Sequence, residues 1–85
     1  MKTPLVKSVA ATIRQFRKAK NMSQDELAHI SGLDRTYISG VERGVRNITL
    51  ESLEQIIKSL DIPNSVFFKS LIEEDCSDLH NKPER

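Results

Sequence analysis

Apolar residues recur every three or four positions along most of the chain, and no stretch alternates with a period of two. Val6, Val9, Ile13 and Phe16, with Ala10 beside them, mark one face of a helix over residues 5–20, and Lys7, Arg14, Lys18 and Lys20 mark the opposite face. Asn21 and Met22 are expected to end it. Ser23-Gln24-Asp25-Glu26 reads as a capping box: the Ser23 hydroxyl accepts from the amide of Glu26, and the Glu26 carboxylate accepts from the amide of Ser23. The helix it opens runs to about Ser31 and is expected to bury Leu27, Ala28 and Ile30. Gly32 permits the left-handed backbone that ends a helix tightly. Asp34 is a good N-cap for a third helix, Arg35 to about Arg43, with Ile38 and Val41 inward and Gly44 as its stop.

A loop over residues 44–48 follows, and Thr49 caps a fourth helix of residues 50–60. Its apolar stripe is Leu50, Leu53, Ile56, Ile57 and Leu60. Asp61-Ile62-Pro63 breaks the pattern, because proline restricts the residue before it and cannot continue the helix. Asn64 or Ser65 opens a fifth helix, Val66 to about Glu74. Residues 75–85 hold no large apolar group except Leu79 and are expected to be a polar, disordered tail. The chain thus reads as one all-α domain, residues 1–74, with a tail over 75–85.

Composition narrows this further. A chain of 85 residues buries only ~60–65% of its unfolded surface, so its core is thin and needs support. The single cysteine, Cys76, cannot form an internal disulfide. With no apolar spanning run and no basic-then-apolar leader, a soluble cytoplasmic protein without membrane contact is expected. A partner subunit is then the remaining source of stability. The net charge of +1 hides an asymmetry: residues 73–85 carry five acidic groups against two basic, and residues 1–72 eleven basic against seven acidic. A positive domain with an acidic tail is compatible with a nucleic-acid partner.

The chemistry lies between Ser23 and Arg43. A capped short helix, a glycine-containing turn and a second capped helix form a helix-turn-helix pattern. With Ile38 and Val41 inward, Arg35, Thr36, Ser39 and Arg43 point outward and Tyr37 lies near the edge. A major groove about 12 Å wide admits such a helix. Arg35 can donate twice to guanine O6 and N7, and Thr36 can offer its methyl to thymine or its hydroxyl to a base or phosphate. An arginine at a helix start opposes the helix dipole, a small cost that a binding role explains. Tyr37, Ser39, Arg43, Arg46 and Asn47 suit phosphates and sugars. Ser23 and Gln24, at the amide-rich start of the second helix, are candidate phosphate contacts as well. In the last helix, Val66, Phe67, Phe68, Leu71 and Ile72 cover more than one stripe. Part of that surface is expected to form a homodimer interface. A two-fold dimer would set two recognition helices ~34 Å apart and demand a palindromic site.

Catalysis has no constellation to rest on. His29 lies on a helix beside apolar neighbours and His80 lies in the tail, so neither metal nor other cofactor is expected. Cys76 has no activating neighbour, and Asp25-Glu26 are capping acids.

Three strings, S-Q-D-E-L-A, L-D-R-T-Y-I-S-G-V-E-R-G and R-N-I-T-L-E-S-L, resemble the phage-repressor-like (XRE-type) helix-turn-helix family. With V-F-F-K-S-L-I in the last helix, the chain is similar above all to the controller proteins of restriction–modification systems, over about Leu5 to Glu74. The resemblance implies a five-helix, lambda-repressor-like DNA-binding domain and a homodimer joined through the last helix. It also implies a pseudo-palindromic operator on double-stranded DNA, activation at low occupancy with repression at high occupancy, and RNA polymerase as a further partner. By position it makes Arg35, Thr36 and Tyr37 the main DNA-reading residues, with Ser39, Arg43, Arg46 and Asn47 on the backbone. It pairs Arg17 with Glu42 as a structural ion pair. Relatives often have glutamines where this chain has Arg35-Thr36, so their operators do not transfer. A phage-type repressor or an antitoxin is the alternative within this class. An interaction module that has lost DNA binding is the alternative outside it.

Overall fold

The computed structural model describes the backbone of residues 4–80 and the side chains of residues 5–73. Five helices follow one another: α1 (Pro4–Ala19), α2 (Gln24–Ser31), α3 (Arg35–Glu42), α4 (Leu50–Ser59) and α5 (Asn64–His80), with no strand among the described residues. The helical periodicity thus gave all five elements. The main departure is α5, whose backbone runs on to His80, past the expected end at Glu74. Residues 81–85 of the expected tail lie outside the described residues. No described helix is long and apolar enough to cross a membrane.

Each junction has a local cause. The Ser23 capping box forms in full: Ser23 Oγ accepts from Glu26 N at 3.0 Å, and Ser23 N donates to Glu26 Oε1 at 2.9 Å. Gly32 takes the left-handed conformation with φ 74° and closes α2, as a Cβ-bearing residue would do only under strain. Thr49 Oγ1 accepts from Ser52 N at 3.0 Å and opens α4. Asp34 occupies the N-cap position of α3, but its side chain makes no capping hydrogen bond.

The core is one cluster drawn from all five helices: Val9 and Ile13 of α1, Leu27 and Ala28 of α2, Ile38 and Val41 of α3, Leu53, Ile56 and Ile57 of α4 with Leu60 at its end, and Phe67 and Leu71 of α5. Helix α2 packs on α3 and α4, and α1 packs on α3 and α5. Ile30 and Leu50, both on expected apolar faces, are exposed. Ile30 is exposed, because the buried face of α2 is Leu27, Ala28 and Ser31. At 3.6 residues per turn, Ile30 falls roughly 160° from Ala28. Leu50 is 83% exposed at the first position of α4, while Leu53, Ile56 and Ile57 of the same stripe are buried.

Candidate nucleic-acid interface

Helix α3 has only eight residues, so each of its sides is occupied by two or three side chains. Ile38, Val41 and Glu42 face inward and are buried. Arg35, Ser39 and Arg43 stand four apart and form one outer row. Arg35 and Arg43 are exposed and Ser39 is half-buried. Thr36 is exposed in the middle of the outward face, and Tyr37 with Gly40 occupies the other flank.

The flank at Gly40 is where the loop after α3 folds back. The Gly40 carbonyl accepts from the amides of Val45 and Arg46 at 3.1 and 3.2 Å. A Cβ on Gly40 would lie 3.1 Å from Arg46 Cβ, so the absent side chain lets the Arg46 stem lie on the helix. The Arg46 guanidinium carbon sits 5.1 Å from the centre of the Tyr37 ring, within cation–π range. The Tyr37 hydroxyl donates to the Asn47 carbonyl at 3.4 Å. Tyr37 also packs against the core. Tyr37, Arg46 and Asn47 therefore form one assembly beside α3, with Tyr37 as its scaffold.

The row at Ser39 and Arg43 borders a groove of about 280 Å³ between α1, α2 and α3, lined also by Arg14, Arg17, Lys18, Gln24 and Glu42. At its floor lies the buried pair expected from the resemblance. Arg17 Nε donates to Glu42 Oε2 at 2.6 Å, and Arg17 Nη2 donates to Glu42 Oε1 at 3.0 Å. Arg17 Nη1 donates to the Met22 carbonyl at 2.7 Å, so the guanidinium also ties the α1–α2 turn to α3. With Arg17 and Glu42 offsetting each other, the groove takes its charge from Arg14, Lys18 and Arg43, none of which makes an ion pair among the described residues.

Gln24, a candidate phosphate contact, is also tied to the buried pair. Its Nε2 donates to Glu42 Oε1 at 3.1 Å. That bond uses one of the two N–H donors of the side-chain amide, so Gln24 keeps a second N–H at the start of α2. Ser23 Oγ accepts in the cap of α2, and its O–H is not used there. Two groove-lining residues that were not among the expected candidates are Arg14 and Lys18. Their place on the polar face of α1 was legible, but only the packing of α1 against α3 brings them beside Arg43.

The expected interface residues of α5 divide into two sets. Phe67 is completely buried within the subunit and Leu71 nearly so, hence neither has surface to offer. Phe67 packs on Phe16 and meets Phe68 edge to face, with ring centres 6.2 and 5.4 Å apart. Val66, Phe68 and Ile72 keep exposed surface. Phe68 shares a shallow apolar groove with Leu50, Leu53 and Ile57, flanked by Glu51, Glu54 and Asn64. Leu50 thereby joins this face, where the sequence pattern had placed it on the apolar stripe of α4. Cys76 and His80 lie where side chains are outside the described residues, and His29 is exposed.

Comparison with known proteins agrees with this architecture. The helix-turn-helix family model matches residues 13–63. Control protein C.SmaI of Serratia marcescens is 49% identical over 53 residues, which is 62% of this chain and 63% of that protein. Control protein C.BamHI of Bacillus amyloliquefaciens is 51% identical over 51 residues, or 59% of this chain and again 63% of the relative. The matched region thus spans a little under two thirds of either relative. The structure of the wild-type restriction–modification controller protein C.Esp1396I superposes with a TM-score of 0.87 at 47% identity, covering 88% of this chain and 99% of that one. A tetramer of the same controller in complex with its natural 35 base-pair operator gives a TM-score of 0.84 at 48% identity, over 86% and 96% of the two chains. With the model covering the capped helix pair and the helices on either side of it, the chain belongs to the helix-turn-helix family.

Proposed function

We propose that this chain is a sequence-specific, DNA-binding transcription regulator that controls a restriction–modification locus. The observation that carries this is the short helix α3, whose outward residues Arg35 and Thr36 stand between two cationic flanks. On one side are Arg14, Lys18 and Arg43; on the other are Arg46 and Asn47, braced by Tyr37. Such a helix enters a major groove with its exposed side chains at the base edges, while the flanking cations meet the two phosphate walls. Arg35 offers guanine its pair of donors, and Thr36 offers its methyl or hydroxyl. Ser39 supplements Arg43 on its wall.

The apolar face made by Leu50, Phe68 and Ile72 supplies the dimer contact, while Val66, two positions from Phe68, lies on the opposite flank of α5. A two-fold related pair of such faces buries surface that one subunit leaves in water, and it repeats α3 one helical turn along the duplex. Support comes from the controller C.Esp1396I, which has been solved as a tetramer on its operator.

Selection from randomised duplexes tests the whole proposal. The expected product is a two-fold symmetric site, with half-site centres about 10 base pairs apart or a multiple of that. Recovery of no preferred sequence would overturn it. Sedimentation of the double variant Phe68→Ala, Ile72→Ala checks the dimer face, and a shift towards monomer is the expected result.

A further inference from the structure

Arg35 does not stand alone on the outward face. Its Nε lies 2.9 Å from Oδ1 of Asp25, the second residue of α2, and both side chains remain well exposed. Other carboxylates are nearer in sequence or in kind, yet none takes this place. Asp34 adjoins Arg35 and makes no capping bond, while Glu26 is committed to the Ser23 capping box. Asp25 itself has no part in that box, so the cap of α2 does not require it. The placement is economical for both ions, since a carboxylate in the first turn of α2 suits that helix dipole and lies beside an arginine that opposes the dipole of α3.

A guanidinium is a flat fork with two usable edges. A carboxylate at Nε occupies the side of the fork and leaves the end, Nη1 with Nη2, uncovered. That end carries the parallel donors that match guanine O6 and N7. We propose that Asp25 is a specificity-determining positioning residue: it holds the Arg35 fork end-on to the base edge, and it withdraws part of the arginine's charge from indiscriminate use on phosphates. A negative group this close to the duplex weakens binding to every sequence. Only a fork held for one base recovers that loss, so the pair raises the ratio of specific to non-specific affinity. This inference rests on the proposed role of Arg35 as base reader.

The test compares Asp25→Asn, Asp25→Glu, Arg35→Ala and the double variant Asp25→Asn, Arg35→Ala. The probes are the selected duplex, the same duplex with the base pair read by Arg35 replaced, and an unrelated duplex. Asp25→Asn should tighten binding to the unrelated duplex about two- to fivefold, as removal of one exposed like charge does. It should also cut the preference for the read base pair about three- to tenfold, part of the discrimination a bidentate contact gives. Asp25→Glu should restore the preference, and Asp25→Asn should leave no mark on discrimination in the Arg35→Ala background. An equal tightening on all three duplexes would reduce Asp25 to a repulsive charge and overturn the proposal while leaving base reading intact. No loss of preference in Arg35→Ala itself would instead remove the base-reading role, and this inference with it.

Discussion

Two arginine–carboxylate pairs bracket the helix-turn-helix, and they differ in almost every physical respect. Arg17 and Glu42 meet through two N–H donors, with side chains 10% and 3% exposed. Arg35 and Asp25 meet at Nε alone, with side chains 63% and 76% exposed. The first pair has given up its water, and the burial of each ion is offset by the hydrogen bonds it makes with the other. The second is solvated on most sides, gains at most about 1 kcal/mol from its contact, and leaves the end of the Arg35 fork open to a second partner. The same chemistry therefore serves architecture where it is buried and leaves a donor available for recognition where it is not.

The largest effect that could break this comparison is on the buried pair. Glu42→Ala would leave the Arg17 guanidinium buried without its counter-ion and would deprive Gln24 Nε2 of its acceptor. Such a loss costs about 3–5 kcal/mol, a large share of the total stability of a small domain. Urea denaturation followed by circular dichroism measures it, and a loss under 1 kcal/mol would place this pair in the same class as the exposed one. Replacing both ions, as in Arg17→Met with Glu42→Leu, should recover much of the loss, because no unpaired charge then remains.

The converse holds for the exposed pair. Arg35→Ala should change thermal stability by less than about 0.5 kcal/mol yet weaken operator binding by ~1–3 kcal/mol and relax the preference at one base pair per half-site. Fluorescence anisotropy on the selected duplex, set beside a melt of the same variant, separates the two quantities. A destabilised protein with unaltered base preference would invert the assignment.

How far the sequence foretold these pairs depends on the distance over which each is determined. Periodicity and capping residues are local, so the five helices, the Ser23 box and the Gly32 turn could be read from the chain directly. The partnership of Arg17 with Glu42 joins residues 25 apart; nothing local indicates it, and it was legible only through resemblance to a family. Asp25 with Arg35, and Arg14 with Lys18 and Arg43, are brought together by how α1, α2 and α3 pack, which periodicity does not specify. Phe67 and Phe68 show the same limit from the other side. Both are aromatic and adjacent, and only the position of α1 decides that Phe67 enters the core and Phe68 remains at the surface.

A smaller effect sharpens the contrast between reading and holding. Arg14→Ala with Lys18→Ala removes two exposed charges from the groove beside Arg43. If both meet phosphates, the slope of log K against log salt should fall by about two, and the preferred sequence should not change. Arg46→Ala on the opposite flank should lower it by about one. Titrations at several salt concentrations give the slopes directly. An unchanged slope in the double variant would confine the phosphate contacts to α3 and its loop.

The smallest expected effect concerns Asp34, the carboxylate next to Arg35 in the chain. A side chain that closes an N-cap is worth ~1 kcal/mol, and Ser23→Ala should show a loss of that order because it removes the hydroxyl that accepts from Glu26 N. Asp34 stands at the equivalent position of α3 with no such bond, so Asp34→Ala should cost no more than about 0.5 kcal/mol. Paired urea titrations of the two variants make the comparison. Were Asp34→Ala as damaging as Ser23→Ala, the carboxylate would be fixed on the amides of α3. Arg35 would then have two anions within reach in place of one, and the orientation ascribed to Asp25 alone would have to be shared between them.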